Sequence, residues 1–380
     1  MDKSWSSILQ LICKFYILAV LLAGCAMVPV PTRSDRMGQN GPLGSCADFF
    51  ASLDKTTEEA GVIDAGVFRV KNYPYLRANR FIASFREEVD NKAAFFKWAD
   101  RMQTLDQDAR KYEIANLPDP VVAELDPASN RTGLFSKVAT CGDLLKASDF
   151  QDVEHQEELT KSVSVPDEYV SLRRVLGLYP LTSVFVSQGV SNWHAKVRKS
   201  FSLEPPANWR SIRYVPDQTF EIPSVRQLVG PNKRDALGIP VYSPGERKAL
   251  FWMYAPAWEI QIQGDYDRIG APIWTDKGVL DVDTDKPVTY TVLSFTRSGE
   301  KILTQLNYII WFPSRPKKGA LDIYGGLLDG LTYRVTLDNN GEPLVYETIH
   351  NCGCYYKAYP TNRLQVLEKI DYAEPPLILK

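Results

Sequence analysis

The sequence predicts an α+β fold, with an α-rich N-terminal half followed by an antiparallel β-rich C-terminal half. From residue 46 to about 201, apolar residues recur at helical spacing. After Phe201 apolar segments alternate with a period of two, and 16 of the 25 prolines fall in residues 201–380. The change near residues 201–210 therefore predicts two parts of different secondary structure.

The chain begins with a targeting signal. Lys3 and Lys14 precede the apolar run Phe15–Ala23, which is too short to span a bilayer as a mature helix. The run leads into Leu22-Ala23-Gly24-Cys25, which resembles the lipobox of bacterial lipoproteins. The alternative is a plain secretory signal with an incidental cysteine.

The lipobox resemblance implies cleavage before Cys25 and attachment of diacylglycerol and a further acyl chain such as palmitate to that residue. The protein is then anchored to a membrane through lipid, without spanning it. Ala26 stands where the family's inner-membrane retention aspartate would be, which implies sorting to the outer membrane with the folded body on the periplasmic face.

The expected organisation has four parts. Residues 1–24 form the signal peptide, 25–45 a lipidated tether rich in proline and glycine, 46–205 an α-helical domain and 206–380 an antiparallel β-rich domain. The net charge of −2 becomes −3 once Asp2, Lys3 and Lys14 are removed. A nearly neutral chain without a basic face argues against a nucleic-acid-binding protein.

Several helices are expected in the N-terminal half. Two apolar sets at helical spacing predict a helix that is buried on two faces, and prolines 118, 120 and 127 predict a loop after it. Further helices are predicted over Asp167–Gly177 and Leu181–Lys199, the second of them buried. The two apolar sets are Ile82, Phe85, Val89, Phe96 and Phe81, Phe95, Trp98, Met102.

Two β-hairpins are predicted in the C-terminal half. Val288–Arg297 and Lys301–Phe312 flank a short turn, and the second strand is apolar on both faces, which indicates a central strand. Leu331–Leu337 and Leu344–His350 flank the turn sequence DNNGEP.

Four cysteines remain once Cys13 is removed and Cys25 is lipidated. Cys46 and Cys141 both lie just before predicted helices in the α-rich half, and the periplasm is oxidising. We therefore predict a disulfide between these two, which closes a long loop and in the entropic model contributes about 3–5 kcal/mol.

The stretch Leu344–Tyr356 gathers more reactive side chains than any other, including His350, Cys352 and Cys354. Three interpretations fit the two cysteines: a strained and therefore labile disulfide between them, a zinc or copper(I) site with His350 as third ligand, or two small buried thiols or a local staple at a strand end. A redox role for the pair stays open beside these. Glu347 is a poor fourth ligand, since three residues along one strand it points to the face opposite His350.

Other ionisable residues have simpler interpretations. Glu259 follows Trp258 in a predicted strand, and Asp265, Asp267 and Arg268 occupy the turn after it. These carboxylates suit calcium or acid–base chemistry, but a structural turn is the favoured interpretation.

The two remaining histidines are not expected to form a site. His155 lies in an acidic run and is expected at the solvated surface. His194 is expected at the basic end of a helix.

The run Gln305–Tyr356 is similar to a group of uncharacterised bacterial lipoproteins. The similarity rests on QLNYIIWFPSRP, LDGLTYRVTLD and IHNCGCYY. The group often has histidine where this chain has Tyr356, and this departure removes a fourth ligand from a metal site here. The resemblance implies no activity.

Two functional hypotheses follow. The first is a non-catalytic envelope protein that binds or scaffolds other components, including an envelope protein partner. The second is a metal- or thiol-dependent envelope enzyme using His350, Cys352 and Cys354, with Glu259 or Glu347 as base. The sequence carries none of the common serine-nucleophile, zinc-protease, Walker or dinucleotide-binding motifs, which favours the first.

We predict that Cys25→Ala releases the protein from the membrane fraction, because the acyl chains on Cys25 supply the anchor. Fractionation of cells carrying the variant tests this. Retention in the membrane at the wild-type level would show that another segment anchors the protein. Leu181–Lys199 would then be the first candidate.

Overall fold

The computed structural model describes residues 36–126, 130–166, 179–201, 203, 209–216, 228, 233–317, 319, 322, 325–367 and 376–379. The chain divides into two compact units, Met1–Val165 and Pro166–Lys380. The first is mainly helical and the second contains a six-stranded sheet, so the predicted α+β class is confirmed. The predicted signal and lipobox, and the helix predicted over Asp167–Gly177, lie outside the described residues.

The N-terminal unit packs helices around a short hairpin. Strands β1 and β2 pair antiparallel, and every residue of β2 is buried. The elements in order are α1 (Pro42–Glu59), β1 (Phe68–Val70), β2 (Tyr73–Ala78), α2 (Arg80–Ala83), α3 (Lys92–Asn116), α4 (Asp119–Leu125), α5 (Arg131–Asp149) and α6 (Val153–Ser162).

The predicted disulfide joins α1 to α5. The sulfurs of Cys46 and Cys141 are 2.00 Å apart, and both residues are buried. The link spans 95 residues of sequence, so it closes most of the N-terminal unit into one loop.

Helix boundaries in this unit differ from the prediction in three places. The predicted helix that includes both Ile82 and Met102 is divided into α2 and α3. The Asn91 side chain caps α3, because it accepts a hydrogen bond from the Ala94 N–H. Pro120 and Pro42 lie in the first turns of α4 and α1. Neither proline disrupts a helix there, since the first turn needs no N–H from it.

The first described helix of the C-terminal unit is α7 (Tyr179–Ser200). The helix was predicted to be buried, but its side chains from Ser187 onward are exposed or half-buried, so the prediction is wrong for that part. Among the described residues, no helix is long and apolar enough to cross a membrane.

Among the described residues, two short two-stranded sheets and α8 (Pro244–Met253) precede the main sheet. Strand β3 pairs with β4, and β5 pairs with β6, all antiparallel. Their bounds are β3 (Arg210–Tyr214), α8 (Pro244–Met253), β4 (Trp258–Ile262), β5 (Ala271–Trp274) and β6 (Leu280–Asp283), with a 3₁₀ turn at Asp265–Asp267.

The main sheet has the strand order β12-β11-β10-β9-β8-β7. Its neighbours pair antiparallel except β11 and β12, which are parallel. Both predicted hairpins are present, as β7–β8 and β9–β10. The strands are β7 (Tyr290–Ser298), β8 (Lys301–Arg315), β9 (Gly326–Leu337), β10 (Pro343–His350), β11 (Lys357–Pro360) and β12 (Leu377–Ile378).

Turn chemistry sets the register of both hairpins. Gly299 has φ +60° between β7 and β8, a conformation that glycine adopts without strain. In the β9–β10 turn the Asp338 carboxylate accepts hydrogen bonds from the N–H groups of Asn340 and Glu342. These side-chain contacts fold the DNNGEP segment back on itself.

Helix α8 covers one face of the sheet. Its Leu250 and Phe251 pack with Leu306, Tyr308 and other buried residues of β8 and β9. The apolar face of β8 that carries Leu306 and Tyr308 is explained by its packing against α8, and the pairing of β8 with both β7 and β9 shows that it is not an edge strand.

Two arginines are fully buried in the N-terminal unit and are compensated by carboxylates. Arg77 binds both oxygens of Glu113, at 2.6 and 2.8 Å, and its Nε donates to Asp106 at 3.0 Å. Arg110 contacts Asp106 at 2.9 Å and Asp54 at 2.8 Å. Burial alone would raise the pKa of Glu113, but its hydrogen bonds and the charge of Arg77 hold that pKa below the usual range.

We expect Arg77→Met to destabilise the protein by about 3–5 kcal/mol, because it leaves the buried Glu113 carboxylate without its paired cation, while Asp106 keeps Arg110. Urea unfolding followed by far-UV circular dichroism measures this, with Lys71→Met, at an exposed position of the β1–β2 turn, as a control expected to change stability by no more than about 0.5 kcal/mol. An Arg77→Met variant as stable as the control would contradict the importance of the pairing.

Candidate functional site

The end of the β9–β10 hairpin positions His350. It is the last residue of β10, and its Nδ1 lies 3.2 Å from the Asp329 carboxylate on β9. Burial alone would raise the pKa of Asp329, but the hydrogen bond from His350 and the N–H of Gly330 outweigh it and lower that pKa. The imidazole is therefore oriented by a carboxylate at a strand end.

Asn351 fixes the chain directly after His350. Its N–H donates to the Gly330 carbonyl at 3.1 Å, and its side-chain oxygen accepts from Thr332 at 2.8 Å. A Cβ on residue 330 would lie 2.1 Å from the side-chain nitrogen (Nδ2) of Asn351, so glycine is required at this position for the close approach.

A tight turn carries the two cysteines. The Gly353 N–H donates to the His350 carbonyl at 2.7 Å, and the His350 N–H donates to the Cys354 carbonyl at 3.0 Å. Gly353 has φ +87°. Cys352 and Cys354 are free, exposed thiols in hydrogen-bond contact with each other.

The structure does not bring His350, Cys352 and Cys354 together as metal ligands. Among the described residues, no three histidine, cysteine, aspartate or glutamate side chains are placed to hold a metal ion. The His350 ring is turned to Asp329 and the thiols contact each other. The zinc or copper hypothesis therefore gains no support, and the disulfide interpretation does not describe this state either.

Glu347 has a structural role. It is buried, and its carboxylate accepts hydrogen bonds from the Tyr356 hydroxyl at 2.6 Å and the Thr336 hydroxyl at 3.1 Å, with Arg334 at 3.6 Å. Burial and the Glu347 carboxylate raise the pKa of Tyr356. The Tyr356 hydroxyl thus satisfies a buried carboxylate.

The acidic segment after β4 is a structural turn, as the favoured interpretation had it. The Asp267 carboxylate accepts from the N–H groups of Gln263 at 2.8 Å and Gly264 at 3.3 Å. Glu259 is exposed and accepts from Ser211 at 3.3 Å. Arg268 lies 3.9 Å from Asp285.

The other two histidines have separate environments. His155 was expected to be solvated, but it is half-buried and its Nδ1 contacts the Asp149 carbonyl at 2.9 Å. His194 lies near the basic end of α7, where burial and then Arg198 lower its pKa.

A pocket that the sequence did not reveal lies in the C-terminal unit, between α8 and the start of β7. Its volume is about 690 Å³, within the usual range for small-molecule sites. Its walls are aromatic side chains, prolines and two threonines. They include Tyr214, Phe251, Trp252, Trp258, Tyr308, Pro216, Pro244, Pro256, Pro287, Thr289 and Thr291.

One stripe of α8 faces this pocket. Pro244, Arg247 and Phe251 follow each other at steps of three and four residues, and Lys248 lies on the same side. The recurrence of these side chains every three or four residues in PGERKALFWMYA is the only sequence signal for the pocket. The same spacing is equally typical of a helix that packs on a hydrophobic core.

Hydrogen bonds hold the aromatic walls in place. The Tyr308 hydroxyl donates to the Phe251 carbonyl at 2.8 Å, and the two rings contact edge to face at 5.5 Å. The Trp258 indole N–H donates to the Thr289 hydroxyl at 3.0 Å. The pocket is therefore preformed by the core of the unit.

The charge of the pocket lining is positive. Arg247 and Lys248 are exposed at its edge, and the described lining contains no aspartate, glutamate, histidine or cysteine. Such a site favours an anion and offers none of the usual nucleophile and base pairs.

Comparisons of the chain with protein-family models, with curated proteins and with solved structures found no match.

Proposed function

We propose that this protein is a non-catalytic binding protein whose C-terminal unit holds a small amphipathic anion. The observation that supports this is the aromatic pocket with Arg247 and Lys248 at its edge and no acidic residue in its described lining. The ligand has a flat or acyl apolar body and an acidic head group.

The apolar body would lie against Trp252, Trp258 and Phe251. Aromatic walls provide large contact areas with little side-chain entropy to lose, because ring packing already fixes their rotamers. A ligand that fills part of the pocket removes apolar surface from water, at about 25 cal/mol per Å².

The acidic head would lie near Arg247. Within the described part of the chain no acidic side chain pairs with this guanidinium, so its charge and its planar donors remain available to a carboxylate, sulfonate or phosphate. Lys248 adds a second positive charge at the same edge.

We further propose that Cys25 carries lipid and that the folded body faces the periplasm from the outer membrane. The Leu22-Ala23-Gly24-Cys25 run supports the anchor. The Cys46–Cys141 disulfide is in keeping with an oxidising compartment. A protein tethered there would bind its ligand, or present it to an envelope partner, at the membrane surface.

Two dyes with one ring system test the site: anilinonaphthalene sulfonate, which carries an acidic group, and phenylnaphthylamine, which lacks it. We expect wild-type protein to bind both. Arg247→Gln should weaken the sulfonate about threefold to tenfold, as the loss of one partly exposed charge contact predicts, and should leave the neutral dye unchanged. Dye fluorescence titration gives both dissociation constants.

Trp252→Ala should weaken both dyes roughly tenfold, since it removes apolar contact area that both share. Arg210→Gln, an exposed arginine of β3 outside the pocket lining, is the matched control and should change neither. Equal loss of both dyes in Arg247→Gln, or no loss in Trp252→Ala, would contradict the proposed site.

A further inference from the structure

The Cys352-Gly353-Cys354 turn is a second chemically distinctive feature, and the pocket makes no use of it. Both cysteines are exposed and not disulfide-bonded in the structure, and their side chains contact each other. Neither lines the pocket. Exposed neighbouring thiols are uncommon in a protein that forms a buried disulfide elsewhere, so the pair calls for a separate explanation.

The turn is shaped to bring these sulfurs together. The His350 carbonyl and N–H are both engaged, by the Gly353 N–H and the Cys354 carbonyl, which closes the backbone over residues 350–354. Gly353 at φ +87° supplies the left-handed conformation that this closure needs.

The base of the turn is fixed while its tip is open. The Tyr355 backbone has φ +57°. Its ring lies 5.0 Å from the His350 ring and 5.4 Å from the Trp193 ring. The Arg315 guanidinium lies over the same ring at 5.8 Å. A positive φ at a bulky residue is strained and persists only where the surroundings hold it.

We propose that Cys352 and Cys354 form a surface redox pair that exchanges with disulfides of other molecules. One thiolate attacks the external disulfide, forms a mixed disulfide and releases the first external thiol. The second cysteine then attacks the bonded cysteine sulfur and releases the second. The pair is oxidised by two electrons, the external disulfide is reduced to two thiols, and the two cysteine protons end on those thiols.

The oxidised pair is easily reduced again, so the exchange runs in both directions. A disulfide across one intervening residue closes a small strained ring, and exposed strained disulfides are the labile ones. The Cys46–Cys141 disulfide is buried in the N-terminal unit, so we expect it to resist reduction.

Hydrogen bonding with Cys352 and burial raise the pKa of Cys354, so this thiol is protonated at neutral pH. At neutral pH, attack of Cys354 on a disulfide is therefore limited by how much of its thiolate forms.

Glutathione is a suitable probe for this exchange. The full chain is equilibrated with mixtures of glutathione and glutathione disulfide, quenched in acid, alkylated and digested with trypsin. Cleavage after Arg334 and Lys357 leaves both cysteines on one peptide. We expect this peptide to change from dithiol to internal disulfide, losing two hydrogens, as the disulfide fraction rises, and to return when it falls.

The Cys46–Cys141 peptides are an internal control and should remain oxidised throughout. Cys352→Ser and Cys354→Ser should each accumulate a glutathione adduct at least roughly tenfold above wild type, because no neighbouring thiol resolves it.

Two results would overturn the proposal. The first is a pair that stays oxidised in excess glutathione, which would be a structural link. The second is a pair that stays reduced, or stops at the adduct, in excess glutathione disulfide. Circular dichroism of the serine variants establishes that the exposed turn tolerates the changes.

Discussion

The contact between Phe251 of α8 and Tyr308 of β8 is the interaction on which the C-terminal unit depends. The Tyr308 hydroxyl donates to the Phe251 carbonyl, and the two buried rings meet edge to face. Together with the packing of Leu250 in the same core, this contact ties the helix to β8, which pairs with a strand on each side. Because it sets the rotation of α8, it also decides that Arg247 and Trp252 face the pocket and that Leu250 faces the core.

The regular parts of this architecture follow from local sequence. Period-two patterning and glycine or aspartate turns predict both hairpins of the sheet, since turn chemistry and strand alternation act over few residues. The Cys46–Cys141 pairing was predicted because both cysteines lie in the α-rich half, and the disulfide confirms it. Helix starts at Pro42 and Asn91 were missed, because the same residues also occur in loops.

The pocket was beyond prediction for a physical reason. Its walls come from β3, α8, β4 and the start of β7, and only tertiary packing places Trp252, Trp258 and Thr289 together. The sequence instead drew attention to His350 and its two cysteines, which are close in sequence. The fold turns that imidazole to Asp329 and leaves the thiols facing each other, so proximity along the chain did not become a metal site.

A crystal structure of the protein grown with anilinonaphthalene sulfonate is the most direct measurement of the central claim. The account predicts the dye ring against Trp252 and Trp258, with its sulfonate within hydrogen-bond distance of Arg247 or Lys248. Dye bound only elsewhere, or seated in the pocket with its sulfonate away from both cations, would contradict it.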